Sequence, residues 1–239
     1  TFTYGAAPQT LNLNSTSGLD VTYALTSGPG SLTENILTIT GAGTIVVEAS
    51  QAGNEDYLPA ANVQGSIVVD KTFLTLSPND ETITYGDAIP SFTNGDAGYV
   101  NGEDINDLQV TPTLTTTATA TSDAGTYAIT WVEGESDNYS INYIDATLTI
   151  LKKDQTITLD PIADKEGSDT PFDVVASIDS GLELRYEISG PANISGSTVT
   201  LDGTAGTVTV TVSHDGDVNH NPTSVSVSFD IMVILGLKD

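Results

Sequence analysis

Apolar and polar positions alternate one by one along most of the chain. Thr207-Val208-Thr209-Val210-Thr211-Val212-Ser213 puts valine on one face and hydroxyls on the other, the pattern of a half-buried strand. Ser224-Val225-Ser226-Val227-Ser228-Phe229 repeats it, as do Thr147-Leu148-Thr149-Ile150 and Thr156-Ile157-Thr158-Leu159. Words rich in Gly, Pro, Asn and Asp separate the runs, among them Ser27-Gly28-Pro29-Gly30, Asn101-Gly102-Glu103-Asp104 and Ser189-Gly190-Pro191. No long stretch keeps a helical period. The pattern predicts an all-β chain of short strands at the spacing of β-sandwiches.

An internal repeat orders these strands. Ser17-Gly18-Leu19-Asp20-Val21-Thr22-Tyr23 returns as Ser180-Gly181-Leu182-Glu183-Leu184-Arg185-Tyr186, and Ser27-Gly28-Pro29 as Ser189-Gly190-Pro191. Gly43-Thr44 answers Gly206-Thr207, Pro8 answers Pro171, and Pro59 answers Pro222. Residues 1–70 and 153–233 therefore read as two copies of one module. The first copy begins inside the module, opposite Asp164, without the strand at 155–159. Residues 71–152 form a different unit between the copies. Residues 234–239 leave the pattern and read as a linker to a following domain. The junction words Val69-Asp70-Lys71-Thr72 and Leu151-Lys152-Lys153-Asp154 are short, which predicts three sandwiches end to end as a rod.

The middle segment carries Tyr85-Gly86-Asp87-Ala88-Ile89-Pro90, then Gly102-Glu103-Asp104, Ser122-Asp123-Ala124-Gly125-Thr126-Tyr127 and Asp137-Asn138-Tyr139. It closes on the strand word Asp145-Ala146-Thr147-Leu148-Thr149-Ile150. These words, in this order, resemble the MBG repeat with its Tyr-Gly-Asp-x-x-Pro start. The flanking copies, with Gln155-Thr156-Ile157, Ser180-Gly181-Leu182 and Gln51-Ala52-Gly53-Asn54, resemble the Ig-like repeats that alternate with MBG repeats. The resemblance implies β-sandwich domains of large exported bacterial surface proteins and adhesins, especially of Bacteroidetes, and no particular ligand. Ile234-Leu235-Gly236-Leu237-Lys238-Asp239 resembles the lead-in to a type IX secretion sorting domain.

Charge narrows the partners. Among 239 residues, 32 acids face six bases, a net charge of −26, a field that repels phosphate and makes nucleic acid and anionic membrane surfaces poor partners. Charged residues are only 16% of the chain against about 25% in an average domain, so Thr, Ser and Asn must supply the polar surface. No apolar run approaches the roughly 18 residues of a membrane span. With no cysteine and two histidines, thiol chemistry and zinc are excluded and acid–base chemistry has few candidates.

Each candidate site competes with a plainer role. Asp215-Gly216-Asp217-Val218-Asn219 has the D-x-D-x-N rhythm of a calcium loop, making Asp215, Asp217 and Asn219 candidate metal ligands. Glycine is missing at the sixth place, glutamate at the twelfth, and the first copy has Ala52, Gly53 and Asn54 opposite Asp215, Gly216 and Asp217. A merely acidic loop is the alternative. Asp96, Glu103, Asp104 and Asp107 form a second carboxylate group that calcium would relieve of repulsion, or that water solvates. Ser213-His214-Asp215 is not a triad, because neighbours on a strand face opposite ways. His214 and His220 replace Gln51 and Tyr57 of the first copy and read as surface substitutions. Thr113, Thr115, Thr117, Thr119 and Thr121 would line one strand face, either as an ordered-water row or as solvated surface. Tyr139 and Tyr143 share a strand face and Tyr99 lies in a loop, with core packing the plainer reading than sugar stacking. Lys71, Lys152, Lys153 and Lys165 sit near module starts and are expected to bridge neighbouring acidic modules. The sharper alternative makes Lys71 or Lys153 an isopeptide partner of Asn142.

Together these readings describe a structural stalk or spacer of a bacterial surface or secreted protein, extracellular and monomeric, touching neighbouring repeats of its own chain. It is not an enzyme and requires no cofactor, calcium being the one candidate. The alternatives are a direct adhesin for glycan or another surface, and the accessory region of a carbohydrate-active enzyme.

Overall fold

The computed structural model describes residues 1–233, and the segment 234–239, read as a linker, lies outside the described residues. Among the described residues the chain is all-β apart from one 3₁₀ turn, Ile105–Asp107. No helix among the described residues is long and apolar enough to cross a membrane.

The two copies fold alike. In the first, Phe2–Thr3, Val63–Asp70, Gly43–Ser50 and Thr22–Ser27 lie side by side in that order. A second sheet runs Gln9–Thr10, Ile36–Ile39, Gly30–Thr33. In the later copy the orders are Lys165–Glu166, Thr223–Met232, Gly206–His214, Arg185–Ser189 and Phe172–Asp173, Thr198–Leu201, Ala192–Ser195. The valines of the alternating run, Val208, Val210 and Val212, are fully buried, and their counterparts Ile45, Val47 and Ala49 are buried in the first copy. Period-two patterning thus assigns the inner face in both modules.

Two differences separate the copies. Three residues separate Tyr23 from Ser27 where two separate Tyr186 from Ser189, and the extra residue is absorbed as a β-bulge between Leu25 and Ser27. The later copy also has the strand Ile157–Leu159, paired antiparallel with Ala176–Ile178. Residues 11–21 of the first copy contain no strand.

The middle segment holds two further sheets. One runs Asn94–Ala97, Thr72–Pro78, Tyr139–Tyr143, its last pair parallel, and the other Thr113–Thr116, Gly125–Val132, Ala146–Leu151, Glu81–Thr84. The chain divides into two compact units, and the middle segment contributes to both. One unit comprises Thr1–Glu81, Pro90–Thr117 and Tyr127–Leu148; the other comprises Thr82–Ile89, Ala118–Thr126 and Thr149–Asp239. In the first unit a single core joins Leu37, Ile45 and Val69 to Leu74, Leu76 and Tyr139. The core of the second gathers Val199, Val208, Val210, Val212 and Phe229.

The expected threonine row does not form. Its strand ends at Thr116, and the backbone turns at 119–122, where the Ser122 amide donates to the Thr119 carbonyl and the Thr119 amide to the Ser122 hydroxyl, bonds that a continuing strand would not make.

Candidate functional site

Two tyrosines that follow short strands organise the contacts of the middle segment with its flanking copies. Phe2–Thr3 runs parallel to Val63–Asp70, the Tyr4 amide donates to the Asp70 carbonyl at 2.9 Å, and a turn closes from Ala6 N–H to Thr3 O. This delivers the Tyr4 ring, 5% exposed, edge-on to Tyr139 with centroids 5.6 Å apart. Tyr99 also packs edge-on with Tyr139, at 5.9 Å. The Tyr4 hydroxyl donates to Glu103 Oε1 at 2.5 Å, and the Tyr139 hydroxyl donates to Glu103 Oε2 at 2.5 Å. Tyr139 also accepts the Val100 amide at 3.0 Å. One carboxylate thus ties the start of the first copy to the middle segment through two short, charge-assisted bonds. Around it, the Ala42 amide donates to Asn138 Oδ1, the Thr72 hydroxyl to the Tyr4 carbonyl, and Lys71 Nζ to the Ser136 carbonyl.

The second unit repeats the device with different partners. The Tyr85 amide donates to the Leu151 carbonyl at 2.9 Å, and the same turn closes from Asp87 N–H to Thr84 O. Here the ring meets His220 edge-on at 5.6 Å. Asn219, 9% exposed, accepts the Ala124 amide at 2.8 Å through Oδ1 and donates to Asp123 Oδ1 at 2.9 Å through Nδ2. Lys153 pairs its backbone with Asn219 and Asn221, and Lys152 Nζ donates to the Asp217 carbonyl at 2.5 Å. In the later copy Gly167 occupies the tyrosine's place, its amide on the Met232 carbonyl and the same turn closing from Asp169 to Glu166.

Residues 74–149 match the sequence model of the MBG domain (YGX type). This segment is an MBG domain. No curated protein matches the chain. Among solved structures, the chain is similar to Drosophila N-cadherin EC1-3 at 11% identity, over 96% of this chain and 95% of that one, with a TM-score of 0.31. It is similar to the Sidekick-1 immunoglobulin domains 1-5 at 14% identity, over 94% of this chain and 57% of that one, with a TM-score of 0.31. An S-layer protein, rSbsC(31-844), is similar at 16% identity over 94% of this chain and 36% of that one, with a TM-score of 0.25.

The candidate calcium residues are spread over different tasks. Asp217 Oδ1 closes the loop by accepting the amides of Asn219 and His220 and the His220 ring. Asn219 spends both side-chain atoms on the Asp123–Ala124 turn of the MBG domain. The Asp215 side chain is 86% exposed, with Arg185 its nearest cation at 3.9 Å. No group of three or more His, Asp or Glu side chains suited to a metal occurs among the described residues. For Asp217, desolvation pushes the carboxyl up, but the bonds from Asn219 and His220 outweigh it and hold it below the usual range. The second acidic group also divides. Glu103 joins the tyrosines, Asp104 and Asp107 cap the 3₁₀ turn reciprocally, and Asp96 lies on the strand Asn94–Ala97.

Three expectations are corrected. His220 is not a surface substitution: it is 15% exposed at the side chain and packs on Tyr85, since a flat ring fits the space beside another. Lys71 and Lys152 bond the backbone carbonyls of Ser136 and Asp217, not carboxylates, because those oxygens lie within reach of each Nζ, and Lys165 lies over the Phe172 ring at 4.7 Å. Asn142 is exposed and Lys71 bonds Ser136 on the surface, so the buried Lys–Asn geometry of an isopeptide does not arise. Tyr4 escaped the sequence reading, and Tyr85 entered it only as the start of the Tyr-Gly-Asp-x-x-Pro word, although Thr1-Phe2-Thr3-Tyr4-Gly5 and Thr82-Ile83-Thr84-Tyr85-Gly86 are similar words.

Two outcomes follow from this geometry. Burial raises the Tyr99 hydroxyl to about 12, with Asp96 and Asp104 adding to it; burial followed by the bond to Glu103 raises Tyr4 and Tyr139 as well. Unfolded tyrosine ionises near 10, so the unfolded chain releases these protons first. The unit containing the MBG tyrosines is therefore expected to be fully stable below pH 10 and to lose stability as pH rises, the Tyr99 share declining to about pH 12. Urea midpoints followed by Trp131 fluorescence between neutral pH and pH 11 should fall at the alkaline end, and a flat profile would contradict the buried hydroxyls. Asn219→Ala removes the acceptor of the Ala124 amide and the donor to Asp123, and should cost the second unit about 1–3 kcal/mol. Faster hydrogen exchange at Ala124 is the local readout; unchanged exchange there would refute the bond.

Proposed function

We propose that this chain is a spacer region of a bacterial surface or secreted protein, in which Ig-like modules flank an MBG domain and hold an adhesive or catalytic region away from the cell. The domain limits are 1–70, 71–152 and 153–233, the place is extracellular, and the immediate partners are neighbouring repeats. The observation that carries the reading is the Tyr4–Glu103–Tyr139 clasp, which joins the first copy to the MBG domain through one carboxylate and a shared core. A spacer transmits position from module to module, and a packed junction does that where a flexible linker does not. The acidic, hydroxyl-rich surface supports the same reading by keeping a chain soluble at high local density.

A second reading, direct adhesion to glycan, draws on a groove of about 450 Å³ in the MBG domain lined by Pro90, Phe92, Ile105, Pro112, Leu114 and Trp131. Aromatic and proline faces of this kind stack on sugar rings. A glycan-array and cell-surface screen, run in calcium and again in chelator, separates the two. The spacer reading expects no saturable binding in either buffer. Saturable binding abolished by Trp131→Ala would overturn it for the adhesin, and loss in chelator would assign Asp215, Asp217 and Asn219 to calcium.

A further inference from the structure

The word Asn-Gly occurs twice, at Asn94-Gly95 and Asn101-Gly102, and the fold treats the two differently. Asn94 and Gly95 lie on the strand Asn94–Ala97, in antiparallel register with Pro78 and Ser77. Asn94 Oδ1 accepts the Ser77 amide at 3.2 Å, its Nδ2 is buried, and a Cβ at Gly95 would stand 3.4 Å from the Ser77 carbonyl oxygen. Asn101 and Gly102 are the exposed central residues of a turn that the Glu103 amide closes onto the Val100 carbonyl at 3.1 Å. Both are left-handed, with φ of +58 and +79, the conformation of a type I′ turn.

Such a turn leaves the amides of its two central residues outside the closing bond. No backbone carbonyl takes the Gly102 amide among the described residues, and a Cβ on Gly102 would meet nothing within 4 Å. The nitrogen next to the Asn101 side chain is therefore unhindered and held by no ladder. The same turn carries the clasp. Glu103 follows Gly102 directly and takes the Tyr4 and Tyr139 hydroxyls at 2.5 Å each, while the Val100 amide before Asn101 donates to the Tyr139 hydroxyl. Burial and then Glu103 raise the Tyr4 hydroxyl, and the Asn101 side chain, a hydrogen-bonding neighbour, opposes them.

We infer that Asn101 is a modification site on which the chain acts by itself: its side-chain amide is lost by cyclisation onto the Gly102 nitrogen, and the products loosen the Tyr4–Glu103–Tyr139 clasp. Hydroxide takes the Gly102 amide proton, and the nitrogen attacks Asn101 Cγ. A Cγ–N bond forms, the Cγ–Nδ2 bond breaks, and ammonia leaves with a proton from water. Water then opens the cyclic imide. Cleavage of the new Cγ–N bond gives aspartate in an unaltered main chain. Cleavage of the original peptide C–N bond gives isoaspartate, which lengthens the main chain by a carbon. Water is consumed and ammonia released, with no oxidant or enzyme. Either product puts a carboxylate beside the Tyr4 hydroxyl and two residues from Glu103, where like charges repel. Isoaspartate also displaces Glu103 along the turn and so strains both of its tyrosine bonds. Asn94 is spared, because its strand must open before the Gly95 nitrogen can turn on the side chain. This chemistry depends on the clasp and not on a spacer role.

The 239-residue chain is held in mildly alkaline buffer, and digests taken over time are mapped by mass, with isoaspartyl-specific methylation identifying the isomer. Conversion at Asn101 is expected to run roughly tenfold or more ahead of conversion at Asn94, the cost of opening the strand setting the gap. Asn101→Gln should remove most of the early ammonia release and the methylation, because the longer side chain closes its ring far more slowly. In the aged protein the Val100 amide should exchange faster than in fresh protein, and Asn101→Asp should show part of that gain without ageing. Amide loss at Asn94 as fast as at Asn101, or methylation undiminished in Asn101→Gln, would overturn the site. Unchanged Val100 exchange once Asn101 is converted would overturn its link to the clasp.

Discussion

Tyr139→Ala is expected to destabilise the unit formed by Thr1–Glu81, Pro90–Thr117 and Tyr127–Leu148 by about 4–5 kcal/mol, near the upper limit for one substitution. The ring is 4% exposed and packs with both Tyr4 and Tyr99, so truncation leaves a cavity that aromatic-to-alanine changes make at about 3–5 kcal/mol. It also strips Glu103 of one of its two tyrosine donors and the Val100 amide of its acceptor. Tyr139→Phe keeps the ring and removes only the hydroxyl, so about 1–3 kcal/mol should be lost. The sole tryptophan, Trp131, lies in this unit and reports its unfolding in denaturant. A double-mutant cycle of Tyr4→Phe with Tyr139→Phe should show coupling, since both hydroxyls bond the same carboxylate. Additive losses would mean that Glu103 does not link them.

Gly28→Ala and Gly190→Ala should each cost about 3–5 kcal/mol, and each in its own unit. Both glycines stand in the repeated word Ser-Gly-Pro with φ near +100, a region where a Cβ costs about 1–2 kcal/mol. The larger part is contact. A Cβ at Gly28 would lie 2.2 Å from the Thr44 carbonyl oxygen, and one at Gly190 would lie 2.3 Å from that of Thr207. These oxygens belong to the second residues of the central strands Gly43–Ser50 and Gly206–His214, which cannot shift without moving the buried Ile45 and Val208. Gly18→Ala is the control: its φ is also positive, but a Cβ there meets nothing within 4 Å, so only the backbone term of about 1 kcal/mol remains. Trp131 fluorescence should register Gly28→Ala, and amide exchange in Gly206–His214 should register Gly190→Ala. Equal losses for Gly18 and Gly28 would show that conformation, not space, is what the repeated word conserves between the copies.

The strands were legible because a strand's side chains alternate locally, and seven residues such as Thr207 to Ser213 already state which face is inward. Ser-Gly-Pro was legible as a turn for the same reason, its φ being a property of the residue. The repeat then carried the architecture from one copy to the other, down to the single extra residue before Ser27 that the sheet absorbs as a bulge. The MBG domain was legible in its ordered words. The rhythm Asp215-x-Asp217-x-Asn219 was legible too, but a rhythm places oxygens without saying what they bond, and the fold gives Asp217 to its own loop and Asn219 to Ala124 and Asp123.

What the chain's own order determined was everything with a short period: strand, turn, repeat and inner face. Tertiary structure alone decided the contacts that tie the modules. Tyr4 meets Glu103 across 99 residues, and Tyr139 meets it across 36, so the words around the tyrosines do not name the carboxylate they bond. Such a contact depends on two sheets closing over a common core, and no local pattern records where a distant carboxylate comes to rest.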